Sequence, residues 1–211
     1  WTANTPTCLT CKPKVISKFK SQYSGDIEVR QGLGYKYVAT GNLTQSGGVV
    51  ADVWKPVIKK LSMNYELRTK NWLILGLAAG TVAKLIPQPA KITGVEIDPV
   101  MLEIGRQYFD LGQIPNLKIL NLDAMNYILK TQDFFDFVLV DLYLGDQIPE
   151  FVYSQKFLGQ LDKVGQLVII NHLFYDQDKR LKAEKLITQL KAVFKNIQLH
   201  HVLTNLLIIC S

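Results

Sequence analysis

The chain has 211 residues and a net charge of +6, a length typical of one domain. With 48% hydrophobic and 20% charged residues, its composition excludes a disordered, collagenous or coiled-coil protein. No apolar run approaches the ~18–20 residues of a membrane span, so no membrane partner is expected. Residues 1–91 contain 13 Lys/Arg and 4 Asp/Glu, whereas residues 92–211 contain 11 and 14. Because the lysines are scattered, we interpret them as exposed charges rather than as a nucleic-acid surface.

Residues 1–14 are expected to form a polar tail, which holds Cys8 and Cys11. A C-x-x-C pair is half of a zinc site or a redox pair. No second pair follows, and the three histidines lack zinc-finger spacing. We therefore predict no metal site. The odd number of cysteines argues against a secreted, disulfide-built fold, and a cytoplasmic protein is expected.

Residues 15–48 predict a small N-terminal β-hairpin unit, with short strands at 27–29 and 35–39. Two strands alone are marginal in water, so this unit should pack on the main domain or on a second subunit. Residues 49–62 place their apolar side chains along one helical stripe, which is typical of an amphipathic helix.

From Trp72 onward, strand patterns alternate with helix patterns, which is typical of a parallel sheet covered by helices on both faces. Strands are predicted at 72–76, 92–97, 117–121, 136–141 and 166–171, helices at 80–86, 99–110, 123–130, 150–161 and 177–195, and a final hairpin at 197–203 and 206–210. Residues 49–211 therefore predict an α/β domain with a class I methyltransferase-type Rossmann fold. Its seven-stranded sheet should have the order 3-2-1-4-5-7-6.

A turn of small residues follows the first of these strands and contains Gly76, Ala78 and Gly80. Small side chains let a ligand approach the backbone, and the next helix begins with free N–H groups. Glu96 stands 20 residues after Gly76, at the tip of the second strand, where a carboxylate can accept both hydroxyls of an adenosine ribose. We assign Glu96 and the adjoining Ile97 to cofactor binding.

The third and fourth strands also end in carboxylates. Asp123 can accept from an adenine amino group while the N–H of Ala124 donates to a ring nitrogen, although Asp123 also suits a helix N-cap. Asp98, next to the ribose position, is interpreted as the cap of its helix. Asp141 follows an apolar strand, at the end where open α/β sheets place reactive groups, and we favour a functional role there.

These motifs resemble the spermidine synthase-like family of class I S-adenosylmethionine-dependent transferases. Residues 21–29 are similar to the family's opening strand, and residues 37–45 to its L-x-L-D-G-x-x-Q hairpin. The resemblance implies that Gln45 contacts the cofactor and that Asp141 is the catalytic aspartate. It also implies a homodimer, and S-adenosylmethionine or its decarboxylated form as cofactor.

The chain departs from the family where the amine substrate would bind. Residues 51–55 replace the family's Y-H-E segment, and apolar Leu142 and Leu144 replace polar residues of its D-S-S/T-D-P loop. A polyamine needs paired carboxylates and aromatic groups. Beside Asp141, the residues left to bind substrate are Tyr143 and Asp146.

The leading hypothesis is methyl transfer from S-adenosylmethionine to a small-molecule acceptor that the sequence leaves open. Asp141 would orient the acceptor or take its proton. Ala79, which replaces an Asp in the family's glycine turn, favours methyl transfer because it removes repulsion against the cofactor's carboxylate. The first alternative is aminopropyl transfer from decarboxylated S-adenosylmethionine to a polyamine, with Asp146 holding the distal amine. The second is a non-catalytic binding module.

Overall fold

A computed structural model describes residues 13–32, 34–63 and 65–211. The predicted features at Cys8 and Cys11 lie outside the described residues. The described chain forms a four-stranded antiparallel sheet followed by a seven-stranded mixed sheet. None of the described helices is both long enough and apolar enough to cross a membrane.

The N-terminal unit is larger than the predicted hairpin. Its four strands, in the order β1-β2-β3-β4, are β1 (Lys14–Ser21), β2 (Gly25–Gly32), β3 (Tyr35–Thr40) and β4 (Leu43–Gly47). The sequence pattern predicts only β2 and β3, because β1 is rich in lysine and half of its residues are exposed, so its alternation is weak. β1 also begins at Lys14, inside the segment expected to be a tail.

The buried face of this small sheet packs on the main domain. Ile27, Val29 and Val38 are fully buried, and they cluster with Met101 and Ile104 of the helix that follows the second strand of the main sheet. This contact supplies the apolar partner that a small sheet needs to be stable in water.

The seven strands of the main sheet have the predicted order. They are β5 (Asn71–Leu75), β6 (Lys91–Glu96), β7 (Leu117–Asn121), β8 (Phe135–Val140), β9 (Gly165–Leu173), β10 (Ile197–Val202) and β11 (Asn205–Cys210). Across the sheet they run β10-β11-β9-β8-β5-β6-β7, which confirms the class I methyltransferase-type topology. β5 to β9 are parallel, and β11 pairs antiparallel with both β9 and β10.

Helices cover both faces of this sheet. They are α1 (Val49–Ser62), α2 (Thr81–Leu85), α3 (Pro99–Tyr108), α4 (Ala124–Lys130), α5 (Gln155–Val164) and α6 (Gln177–Lys191). α1 and α2 pack with Trp72, Ile74 and Phe137 on one face, while α4, α5 and α6 pack with Leu73 and Val138 on the other. The apolar runs of β5 and β8 are therefore buried on both sides, as parallel central strands usually are.

Two helix predictions differ from the structure by more than two residues at an end. The predicted helix 150–161 is a 3-10 helix at Glu150–Tyr153 followed by α5. The break falls at Ser154, whose side chain accepts a hydrogen bond from the N–H of Phe157 at 3.2 Å and so starts a new helix. The helix predicted over 177–195 ends at Lys191.

Candidate functional site

A cavity of about 330 Å³ opens where β5, β6, β7 and β8 end, the edge where open parallel sheets bind ligands. Its lining includes nine of the predicted site residues: Gln45, Gly76, Ala78, Glu96, Ile97, Asp123, Ala124, Asp141 and Tyr143. Two predicted residues, Gly80 and Asp146, lie outside the lining. The cavity thus brings together residues that are far apart in the sequence. Gln45 and Tyr143, for example, are 98 positions apart.

The turn after β5 needs glycine because the backbone that leaves the neighbouring strand β8 passes close to it. Gly76 has a φ of 89°, and a Cβ there would lie 2.2 Å from the backbone oxygen of Asp141. Gly80 caps α2 with a φ of 90°, and a Cβ there would lie 2.4 Å from Leu111. Gly80 therefore suits the left-handed backbone at the start of α2; because it does not line the cavity, its assignment to cofactor contact stays a prediction.

Glu96 is the last residue of β6, and its carboxylate is held in place by the backbone. Oε2 accepts from the N–H of Ala78 at 2.7 Å, and Oε1 accepts from the N–H of Asp98 at 2.9 Å. Burial raises the pKa of Glu96 to about 7, although both N–H groups act in the opposite direction. Each oxygen keeps a free lone pair, so the carboxylate can accept two neighbouring hydroxyl groups.

Asp98 and Asp123 both cap helices, but only Asp123 lines the cavity. Asp98 accepts from the N–H of Val100 at 2.9 Å and from the hydroxyl of Ser24 at 2.6 Å, so its interpretation as a cap is correct. Asp123 accepts from the N–H of Asn126 at 2.7 Å. Its second oxygen remains available to a ligand in the cavity.

Asp141 receives hydrogen bonds from two side chains that sequence reasoning missed. The indole N–H of Trp54 donates to Oδ2 at 2.9 Å, and the amide of Asn171 donates to Oδ1 at 2.8 Å. Burial raises the pKa of Asp141, while these two hydrogen bonds favour the ionised form. Trp54 lies on the apolar stripe of α1, where its pattern is that of a core residue.

Further polar contacts extend this group into the last strands. Asn205, the first residue of β11, donates from Nδ2 to Oδ1 of Asn171 at 2.9 Å. The hydroxyl of Thr204 donates to Oδ1 of Asn205 at 3.1 Å. The phenol of Tyr143 donates to the backbone oxygen of Asn171 at 2.9 Å. All four residues line the cavity beside Asp141.

Asp146 does not line the cavity, and its expected contact with substrate stays a prediction. Its carboxylate lies 3.1 Å from the ammonium of Lys179 on α6, which is almost fully buried. A hydrogen bond from Gln147, together with the Lys179 charge, lowers the pKa of Asp146. Gln45 does line the cavity, but its amide donates to Thr40 and, at 3.1 Å, to the backbone oxygen of Gly145. It therefore links β4 to the loop after β8.

The side of the cavity around Asp141 is mostly apolar. Besides the four polar residues described above, its lining there contains Val49, Val50 and Val53 of α1, Leu142 and Leu144 of the loop after β8, and Pro149, Phe151 and Leu173. The carboxylates of the whole lining are Glu96, Asp123 and Asp141.

Ala79 is fully buried with Ile27 and Met101 under the N-terminal sheet and is not part of the lining. Ala79 therefore does not face the cavity, and it gives no reason to favour methyl transfer over aminopropyl transfer.

Two curated relatives have different activities in their names. A polyamine aminopropyltransferase of Vibrio vulnificus is 38% identical over 94 residues, which are 41% of this chain and 31% of the relative. An eEF1A lysine and N-terminal methyltransferase homologue of Drosophila melanogaster is 36% identical over 130 residues, 54% of this chain and 19% of the relative. The matched part of the chain thus spans less than a third of either relative.

A solved structure of a probable spermidine synthase from Corynebacterium glutamicum superposes with a TM-score of 0.78 at 16% identity. The superposition covers 94% of this chain and 80% of the other, so the similarity of fold includes most of the N-terminal sheet. The sequence itself matches the spermine/spermidine synthase domain over residues 51–203, which run from α1 to the end of β10. On this match, the chain belongs to the spermine/spermidine synthase domain family.

Proposed function

We propose that this chain is a transferase that binds S-adenosylmethionine and transfers its methyl group to an amine acceptor. The observation that carries the proposal is the composition of one cavity. Glu96, a carboxylate suited to ribose hydroxyls, lines it together with Asp141, and most of the lining around Asp141 is apolar. Family membership supports the class of transferase, and the names of the two relatives are compatible with either transferred group.

The residues on the β5–β7 side suit an adenosyl group. Glu96 offers two fixed acceptor oxygens for the ribose hydroxyls, and Asp123 with the N–H of Ala124 suits the adenine edge. Gly76 lets the end of β5 lie against the backbone of Asp141, so that both residues line the same cavity. When bound, the cofactor supplies an electrophilic methyl group on a sulfonium centre. The chain's own contribution is to hold donor and acceptor in line, which accounts for much of the rate of such transfers.

Asp141 is suited to accept a proton from the acceptor. It is partly buried, and its two oxygens each accept one hydrogen bond from a neutral donor, so each keeps capacity for another. An ammonium group that enters the cavity can donate to this carboxylate, which orients the nitrogen. Loss of the proton to Asp141 then leaves a nucleophilic lone pair.

The apolar lining favours an acceptor with one charged nitrogen over a diamine. A diamine would bring two ammonium groups out of water, and an unpaired buried charge costs several kcal/mol. Asp141 can compensate one of them. The second natural candidate, Asp146, is paired with Lys179, and Glu96 and Asp123 are on the cofactor side.

Aminopropyl transfer is the second candidate, because Asp141 is kept at the position of the family's catalytic aspartate. It differs from the proposal in the cofactor used and in the product released. With decarboxylated S-adenosylmethionine and a diamine, it would release 5′-methylthioadenosine. Methyl transfer would release S-adenosylhomocysteine instead.

The test is a product assay with both cofactors and matched amines. Putrescine, cadaverine and spermidine are compared with monoamines of the same chain length. We expect S-adenosylhomocysteine from S-adenosylmethionine with monoamines, and no 5′-methylthioadenosine from any pair. Release of 5′-methylthioadenosine with a diamine at ~1–10³ s⁻¹ would overturn the proposal in favour of aminopropyl transfer. Asp141→Asn is the control and should abolish either product.

A further inference from the structure

We propose that Trp54, Asn171 and Asn205 are positioning residues, which act through Asp141. They form a set of hydrogen bonds in which every donor is directed toward the Asp141 carboxylate. Their role is to fix the carboxylate and keep it ionised beside the apolar part of the cavity. The inference rests on the proposed function, in which Asp141 binds and deprotonates the acceptor. It assigns a role to three residues that lie on α1, β9 and β11, outside the strand-end motifs.

The hydrogen bonds of this set all point toward Asp141. Thr204 donates to Asn205, Asn205 donates to Asn171, and Asn171 donates to the carboxylate. Trp54 donates to the other carboxylate oxygen. Hydrogen bonds in such a chain polarise one another, so each donor strengthens the next.

Asn205 determines which way the Asn171 amide faces. An amide has a donor end and an acceptor end of nearly the same shape. If Asn171 were turned around, its oxygen would face the Asp141 carboxylate, and its NH₂ group would face the NH₂ group of Asn205. The hydroxyl of Thr204 donates to the oxygen of Asn205, which agrees with an NH₂ group of Asn205 that faces Asn171. The Asp141 carboxylate, which only accepts, and the NH₂ group of Asn205 together fix the orientation of the Asn171 amide.

Asp141 has no ammonium or guanidinium partner among the ion pairs of the described residues. The titratable groups that line the same cavity are Tyr143, Glu96 and Asp123. Tyr143 is neutral, because burial first and Asp141 second raise its pKa well above the usual range. Glu96 is held by backbone N–H groups on β6 and the glycine turn, and Asp123 caps α4. Neutral donors are thus the groups left to stabilise the charge of Asp141.

The test is a direct titration of the Asp141 carboxyl group by ¹³C NMR, with Asp141→Asn used to assign the signal. Trp54→Phe and Asn171→Leu each remove one donor, and we expect the pKa of Asp141 to rise by about one pH unit in each. Asn205→Leu removes a donor that does not touch Asp141, and we expect a smaller rise. Val57→Ala is the matched control, because Val57 is buried on the same helix as Trp54 and outside the cavity lining.

The Asn205→Leu variant decides the inference, even if a variant with a deeper packing defect fails to fold. A pKa of Asp141 unchanged from the wild type in this variant would overturn the inference, and so would an equal rise in Val57→Ala. In active preparations, the pKa on the acid side of the pH profile of kcat/KM should rise by the same amount as the pKa of Asp141 measured by NMR. Because the titration needs no acceptor, failure to find methyl transfer would count against the proposed function alone.

Discussion

At the residue scale, the cofactor side of the cavity depends on a buried carboxylate with a raised pKa. The pKa of Glu96 is about 7 in the folded protein, against 4.5 as its ordinary value. Protonated Glu96 is therefore the more stable form of the unliganded protein up to nearly neutral pH. Ribose hydroxyls donate hydrogen bonds, so they bind the ionised form better. Cofactor binding and deprotonation of Glu96 are thus coupled.

We predict that the affinity for S-adenosylhomocysteine rises by up to about tenfold per pH unit from pH 5 to 7 and then levels off. Glu96→Ala should lose this dependence and about 1–3 kcal/mol of binding free energy, because the ribose hydroxyls lose their acceptors. Calorimetry at several pH values measures both effects. Asp123→Asn should keep the slope, and a slope that also persists in Glu96→Ala would refute the assignment.

The same group affects stability in the opposite direction. Because the folded pKa lies above the unfolded one, the contribution of Glu96 to the free energy of unfolding is full below pH 4.5 and is lost as pH rises through 7. We expect the wild type, without ligand, to lose up to about 3 kcal/mol more than Glu96→Gln between these pH values. Urea unfolding at each pH measures this difference. Parallel curves for the two proteins would contradict the raised pKa.

Gly76 tests whether the glycine turn is required by the fold. Gly76→Ala would place a Cβ against the backbone oxygen of Asp141, in a backbone conformation that alanine rarely adopts. We expect a loss of at least about 3 kcal/mol in stability, measured by urea unfolding. Gly112→Ala is the matched control, because a Cβ there meets nothing within 4 Å, and it should leave stability nearly unchanged.

At the element scale, sequence patterns predict the ends of single strands but not the contacts between residues of different strands and helices. The ends of β5 to β8 are predictable, because apolar runs followed by glycine or carboxylate residues are contiguous signals. Trp54 was missed, since a tryptophan on an apolar stripe looks like a core residue whether or not its N–H has a partner. Asn171 and Asn205 were missed because only the pairing of β9 with β8 and β11 brings Asn171 to Asp141 and Asn205 to Asn171.

The ion pair of Asp146 was missed for the same reason. Its partner Lys179 lies 33 positions away on α6, so the ion pair cannot be seen in the pattern around the loop. β1 is a further case, because its lysines hide the alternation and only pairing with β2 reveals the strand.

The ion pair between the loop after β8 and α6 gives an element-scale prediction. Asp146→Asn leaves the ammonium of Lys179 without a carboxylate. Because the Asp146 side chain is about half-exposed and water screens the pair, we expect a loss of about 1 kcal/mol, which is a fall of about 2–4 °C in Tm. Cofactor affinity should not change, because Asp146 does not line the cavity. Asp52→Asn breaks an exposed pair with Lys55 and should change Tm little. A loss of amine binding without a loss of Tm would instead support the substrate role of Asp146.

At the scale of the whole molecule, two sheets cooperate in one site. The N-terminal sheet packs on α3 and carries Gln45 to the cavity, while the main sheet supplies the strand ends. The homodimer implied by the family resemblance remains a prediction. We expect light scattering to report twice the chain mass, and a monomer at high concentration would contradict that prediction without affecting the site.

The central claim is that this cavity binds S-adenosylmethionine through Glu96 and next to Asp141. Calorimetric titration with S-adenosylmethionine and with its decarboxylated form tests it most directly, in the wild type and in Glu96→Ala. We predict one site per chain that accepts S-adenosylmethionine and is weakened about tenfold or more by Glu96→Ala. Binding of the decarboxylated form alone would contradict methyl transfer, and binding of neither form would contradict the adenosyl site itself.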